Sequence, residues 1–291
     1  MIGIFDSGSG GLTFLAAMKR RYPEWSYLYY ADYEHCPFWD RSPEEIQELT
    51  IQGVRKLFDA GASIVILACN TASAWTLRKL QNEVFPDKKI LWVTIPGAEK
   101  VIELSLKHIT VFATEQTVRS RTYAERVSIL DDQVGIDEIA LSGGLVREIE
   151  SLLPVQQCHT SEDFEKLLSL CDDSGWNCSG PEWNILVRKY FSCIQAHHDE
   201  HSSLPLAEQC TSPLNPLFFS TSAWAHDGTS LSGIILGCTH YSYLKKPLQK
   251  LFPDTIIIDP SEESAEKIFG YLERHATILE SLVKQGTIHF L

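Results

Sequence analysis

Ser63-Ile64-Val65-Ile66-Leu67-Ala68-Cys69-Asn70-Thr71-Ala72 and Gly233-Ile234-Ile235-Leu236-Gly237-Cys238-Thr239-His240-Tyr241 follow one pattern. Each is an apolar, largely β-branched run that ends in a cysteine and then in small polar residues. Continuous apolar runs between turn signals suit strands of a parallel sheet covered on both faces. Each cysteine then stands at a strand's C-terminal end, the edge where ligands bind in open α/β sheets. Two matching thiols from two parts of the chain predict one cleft with a thiol on each wall, an arrangement suited to two-base proton transfer.

Outward from the first run, strand and helix signals alternate. Ile2 to Phe5 reads as a strand, Asp6-Ser7-Gly8-Ser9-Gly10-Gly11 as a tight loop, and Leu12 to Arg21 as a helix with Leu12, Leu15 and Met18 on one face. A strand over 26–30 precedes a helix opened by Ser42, with Pro43 at its first position and Glu45 completing a capping box. A helix over 72–83 and a strand over 90–94 follow. After Pro96 the pattern restarts with a helix to Leu106, a strand over 109–113, the loop Thr114-Glu115-Gln116-Thr117 and a helix carrying Tyr123. Such alternation predicts a doubly wound parallel α/β sheet. From Pro154 to Ser232 the signals decay into short helical fragments broken by turn residues at 172–175 and 179–181 and by Pro213 and Pro216. Order returns with the second cysteine run, a helix through 244–252, a strand over 255–259 and a helix capped by Ser261.

The 291 residues, 44% hydrophobic and 22% charged, suffice for one large or two modest domains. A formal charge of −13 argues against a nucleic-acid partner, which needs clustered Lys and Arg. The start Met1-Ile2-Gly3-Ile4-Phe5-Asp6 lacks the basic and apolar regions of an export signal, and no run approaches about 18 apolar residues, so no membrane span is expected. A cytoplasmic location follows, where eight cysteines read as buried or reactive thiols rather than disulfides.

A thiol of ordinary acidity is only a few per cent ionised at neutral pH and needs an activating neighbour. Asp6-Ser7, at the end of the first strand, would face the Cys69 loop, and His240 lies two residues beyond Cys238. Helices starting after Gly10, Asn70 and Thr239 would point backbone N–H groups into the same cleft and could hold a carboxylate. Blander readings exist for each feature. A lone cysteine after a strand is commonly a small buried residue. The glycine-rich loop after Asp6 lacks the spacing of phosphate-binding motifs. His197, His198 and His201, with Cys193 a turn earlier, read as a solvated helix face rather than a metal site, because paired Cys-x-x-Cys spacing is missing.

Ile4-Phe5-Asp6-Ser7-Gly8-Ser9-Gly10-Gly11-Leu12-Thr13, Ala68-Cys69-Asn70-Thr71-Ala72-Ser73-Ala74 and Leu236-Gly237-Cys238-Thr239-His240-Tyr241 together resemble the motifs of glutamate racemases, in the aspartate/glutamate racemase superfamily. Ile95-Pro96-Gly97-Ala98, the 114–120 segment with Tyr123, and Gly144-Leu145-Val146-Arg147-Glu148-Ile149-Glu150 add to the likeness. The resemblance implies two pseudo-symmetric doubly wound domains facing a shared cleft. One would comprise 1–94 plus 260–291, and the other 95–259 with an irregular insertion at about 154–232. It implies a cofactor-independent, metal-free enzyme that acts on glutamate as a homodimer and supplies D-glutamate for peptidoglycan. Cys69 and Cys238 would be the two acid–base groups, assisted by Asp6 on one side and by His240 with Glu150 on the other. Ser7, Asn70, Thr71, Thr114, Thr117 and Thr239 would bind the carboxylates and amine. Where the family usually shows Pro-Tyr-Gly in the substrate loop, this chain has Pro37-Phe38-Trp39. Phe38 and Trp39 therefore join the substrate-binding candidates, and the change leaves open another amino acid such as aspartate, or a binding protein without turnover.

Overall fold

The structure is a computed structural model that describes residues 1–172, 175–199, 217–220 and 232–291, with side chains described over 1–171, 176–191 and 232–291. Two five-stranded sheets dominate it. The first has the order β12-β2-β1-β3-β4, built from β1 (Ile2–Asp6), β2 (Tyr27–Ala31), β3 (Ile64–Leu67), β4 (Lys89–Trp92) and β12 (Ile288–Phe290). All its neighbours are parallel. The second has the order β11-β10-β5-β6-β9, built from β5 (His108–Ala113), β6 (Gly135–Ala140), β9 (Leu217–Ser220), β10 (Gly233–Gly237) and β11 (Ile256–Ile258). It is parallel except for β9, which runs antiparallel to β6 at the edge. Reading the second sheet backwards gives β9-β6-β5-β10-β11, which matches the first sheet in its four parallel strands, while the edge strands β12 and β9 differ in direction. In each, the cysteine follows the strand immediately beside the sheet's first central strand.

Side-chain alternation shows why these runs are continuous. Ile2, Ile4, Ile64, Ile66, Phe112, Ile234 and Leu236 belong to one large core that spans both sheets. Their neighbours Phe5, Val65 and Leu67 pack on the outer face of the first sheet, and Val111, Ala113 and Ile235 on the outer face of the second. Both faces of each central strand are thus dry, as crossover helices require. The helices are α1 (Leu12–Arg21), α2 (Pro43–Asp59), α3 (Asn70–Lys79), α4 (Thr94–Glu103), α5 (Glu115–Arg119), α6 (Thr122–Leu130) and α7 (Gly143–Leu152). The Ser42–Glu45 capping box is present at the start of α2.

Several boundaries differ from the sequence reading. Thr94 opens α4 instead of ending a strand, and the turn after Cys238 is a 3-10 segment, Thr239–Leu244, before the helix Lys245–Leu251. Asp259, not Ser261, caps the helix Pro260–Glu273, by accepting from the Ser261 amide. The described part of 154–232 is also more regular than its turn residues suggest. It forms α8 (Ser161–Leu168), the short pair β7 (Cys171–Asp172) and β8 (Gly175–Trp176), and α9 (Pro181–Asp199). Trp183, Leu186, Val187, Tyr190 and Phe191 are buried at the i, i+3, i+4, i+7, i+8 spacing of an amphipathic helix. Phe164 packs toward Phe290 of the first sheet, while Trp176 and Trp183 pack on Tyr243 and Phe191 on Phe112. The segment therefore joins both halves. Cys158 and Cys178 are buried within it, and Cys193, His197, His198, His201 and Cys210 lie outside the described side chains. Among the described residues, no helix is long and apolar enough to cross a membrane.

Candidate active site

The loops after β1 and β3 build one wall. Asp6 is fully buried, and its carboxylate accepts from the Gly8 amide at 2.9 Å and from the Thr239 hydroxyl at 3.3 Å. Burial pushes Asp6 up to about 6, against the opposing pull of His240 and of these donors. Ser7 Oγ lies 3.3 Å from Cys69 Sγ. Cys69 is the N-cap of α3, and its sulfur accepts from the Ala72 amide at 3.4 Å. A helix N-terminus favours a thiolate. Here burial, followed by the charge of Asp6, outweighs that preference and holds Cys69 well above the ordinary thiol range. At rest this wall presents a protonated thiol.

The loop after β10 builds the opposite wall with different electrostatics. Cys238 Sγ lies 3.9 Å from His240 Nδ1. The far ring nitrogen, Nε2, is 3.1 Å from both Glu150 Oε1 and Ser9 Oγ, and Ser9 also donates to Glu150 at 2.9 Å. Burial works against a charged imidazole, but the acceptors Cys238 and Glu150 prevail and push His240 up to about 10. Glu150 is half-buried; burial acts to raise it, yet its bonds to His240 and Ser9, with Arg147 nearby, bring it below the usual range. A carboxylate and an imidazolium thus stand in line behind the Cys238 sulfur.

Between the walls lie hydroxyl and amide groups. Thr71 Oγ1 is 2.8 Å from Thr114 Oγ1 and 3.3 Å from Thr117 Oγ1, and the last two are 3.0 Å apart. Asn70 Oδ1 accepts from Tyr123 OH at 2.8 Å and from Thr94 Oγ1 at 3.4 Å. The walls sense one another: charge on Cys238 raises Cys69, and His240 lowers Asp6.

Comparison with known proteins identifies the family. No protein-family model matches the chain. A glutamate racemase from Cereibacter sphaeroides is 38% identical over 300 residues, spanning 98% of this chain and 88% of the relative. One from Roseobacter denitrificans is 31% identical over 288 residues, spanning 94% and 86%. The chain belongs to the glutamate racemase family. The crystal structure of a glutamate racemase isoform from Bacillus anthracis matches this racemase with a TM-score of 0.70 at 25% identity, covering 100% of this chain and 86% of that one.

The racemase departs from the sequence reading at the substrate loop. Phe38 is fully buried in the hydrophobic layer that also contains Phe5 and Cys69, its ring 6.3 Å from that of Phe5. It therefore backs the Cys69 wall and offers no polar contact. Trp39 stays half-buried, its indole seated on Gly143 at the start of α7, where a Cβ would come within 2.3 Å of Nε1. It lines a cavity of about 350 Å³ beside Glu150, together with Tyr33, Cys36 and Arg147. Ser9 and Thr94 were not among the expected site residues. Ser9 was visible only as part of the glycine-rich loop, and its partner His240 is 231 positions away. Among the described residues, no group of three or more His, Cys, Asp or Glu side chains is arranged to hold a metal ion.

Proposed function

We propose that this racemase interconverts L- and D-glutamate with Cys69 and Cys238 as paired acid and base and without a cofactor. The carrying observation is the unequal backing of two buried thiols: Asp6 and Ser7 beside Cys69, imidazolium and carboxylate behind Cys238. A thiolate on one wall takes the α-proton, and the electron pair left on the α-carbon is drawn into the substrate carboxylate. The thiol on the other wall then gives its proton to the opposite face. The product is the enantiomer, and the two sulfurs have exchanged protonation states. Ser7, Asn70, Thr71, Thr114, Thr117 and Thr239 are proposed to hold the carboxylates and amine, because stabilising developing charge with fixed donors contributes much of the barrier reduction for so weak a carbon acid. The same proposal includes the domain division 1–94 plus 260–291 and 95–259, a cytoplasmic homodimer, and supply of D-glutamate to peptidoglycan. Trp39, standing where the family usually has glycine and packed on Gly143, favours, as a second reading, a different substrate such as aspartate.

The deciding experiment is incubation with L-glutamate in deuterated water, followed by NMR and chiral chromatography. Deuterium at the α-carbon together with D-glutamate is expected. Exchange of aspartate alone supports the second reading, and silence with both substrates overturns catalysis in favour of a binding role.

The buried Asp6 gives this chemistry a pH signature. Its carboxylate is ionised above about 6, so any assistance to Cys69 is lost as pH falls through that value. In Asp6→Asn the step near pH 6 is expected to vanish from the kcat/KM profile, with activity lowered about 10- to 100-fold above it. A variant that keeps the step assigns it to another group.

A further inference from the structure

One buried carboxylate has no part in the chemistry above. Glu138 lies in β6 opposite Val111 of β5, with 1% of its surface exposed. A charge at that depth is costly unless partners meet it. Both partners come from the corner that joins α5 to α6. The Arg121 guanidinium reaches Glu138 Oε2 at 2.6 Å, and the Ala124 amide faces the same carboxylate. Arg121 is the residue that precedes α6, stands in the left-handed region at φ 58°, and provides no side-chain cap. A residue other than glycine carries strain there, and a helix start without a cap leaves amides unpaired. Ala124 is the third residue of the helix, so the carboxylate of a neighbouring strand stands beside the first turn of α6 and pins the strained residue through its ion pair with the Arg121 guanidinium.

What the corner carries determines its use. On the α5 side, Thr117 meets Thr71 and Thr114. On the α6 side, Tyr123 donates to Asn70. Ser120 ties the two sides, donating to the Thr117 carbonyl at 2.6 Å and accepting from the Thr122 amide at 3.3 Å. Asn70 and Thr71 follow Cys69 directly at the start of α3. The geometry points to Glu138 as a positioning residue for the Cys69 wall: its carboxylate holds Arg121 and the first turn of α6, and so fixes Tyr123 against Asn70 and Thr117 against Thr71. The inference rests on the proposed role of Cys69.

The charge of Glu138 makes this role measurable. Burial pushes the group up to about 7, with Arg121 and the Ala124 amide opposing and Glu125 adding to the rise. The charged and titratable groups facing it are Arg121 from the turn and Glu125 and Tyr123 from α6. Wild type, E138Q and R121G are to be compared between about pH 5.5 and 9. Protonated glutamate and glutamine are both neutral, so the wild-type to E138Q ratio of kcat is expected to approach one below pH 7 and climb to about 10-fold above it. Asp6 titrates in both proteins and cancels in the ratio. Glycine adopts the left-handed turn without strain, and a protonated Glu138 can stay buried without its ion-pair partner, so R121G provides a second test if E138Q fails to fold. Losing the guanidinium is expected to move its activity step above pH 7. The rate of iodoacetamide labelling at Cys69, read by mass spectrometry, needs no substrate and should show the same pH-dependent ratio. A kcat ratio or a labelling ratio that is flat across the range overturns the inference, as does an unmoved step in R121G. Should wild type racemise nothing, the proposed function falls, and the labelling ratio alone decides the positioning role.

Discussion

Cys69→Ser and Cys238→Ser are each expected to lower racemisation of glutamate by about 10³-fold or more while leaving the fold intact. The size follows from the acidity of the groups. A serine hydroxyl is far less acidic than a thiol, so it neither takes the α-proton as an alkoxide nor returns one readily. The fold should hold because each substitution is nearly isosteric at a site only 6% exposed. At position 69 serine also remains a good N-cap, able to accept the Ala72 amide that the sulfur accepts now. Loss of one base blocks inversion without blocking proton removal on the opposite face. Each variant should therefore still wash deuterium into one enantiomer, and the two variants should choose opposite enantiomers. The unequal walls sharpen this expectation: Cys69 is the resting proton donor, whereas Cys238 has an imidazolium–carboxylate pair behind it. Racemisation within tenfold of wild type in either variant, or the same enantiomer exchanging in both, would falsify the two-base scheme.

How much of this was legible beforehand depended on whether a residue's partners were local. β1, β3, β5 and β10 were readable because strands buried on both faces are written as unbroken apolar runs. β6 was not, since Gly-Ile-Asp-Glu-Ile-Ala puts two acids in the centre of a core strand. Asp137 is compensated by His108 at 2.8 Å and Glu138 by Arg121, and neither partner can be inferred from the strand itself. β12, three residues at a sheet edge, was too short to register. In α9 the apolar spacing was present, but preceding turn residues drew the reading toward fragments. The site shows the same division. Cys69, Cys238 and His240 were visible from local pattern, whereas the junction of Ser9, Glu150 and His240 exists only after three distant segments have been brought together.

Gly10 is where that convergence is tightest, and Gly10→Ala is expected to be the most damaging change of a single methyl group. It lies in the 3-10 turn Ser9–Gly11, against the loop after β10. A Cβ there would stand 2.2 Å from Thr239 Oγ1 and 2.6 Å from His240 Nδ1. Neither neighbour is free to yield. Thr239 donates to Asp6, and the His240 ring is held by Ser9 and Glu150 on its far edge. Relief therefore requires the two loops to part, and overpacking of this kind costs about 1–3 kcal/mol. Parting the loops also moves the imidazole relative to the Cys238 sulfur, so kcat should fall by about 100-fold or more. Gly270→Ala is the matched control, because its Cβ would meet only Arg274 Nη1, at 3.6 Å, on a helix. Alanine should stabilise that helix by up to about 1 kcal/mol. In Gly10→Ala combined with Thr239→Ala, the nearest clash is gone but the 2.6 Å approach to His240 remains. The melting temperature should partly recover while activity does not. Recovery of both would place the damage in Thr239 packing alone and remove His240 from the explanation.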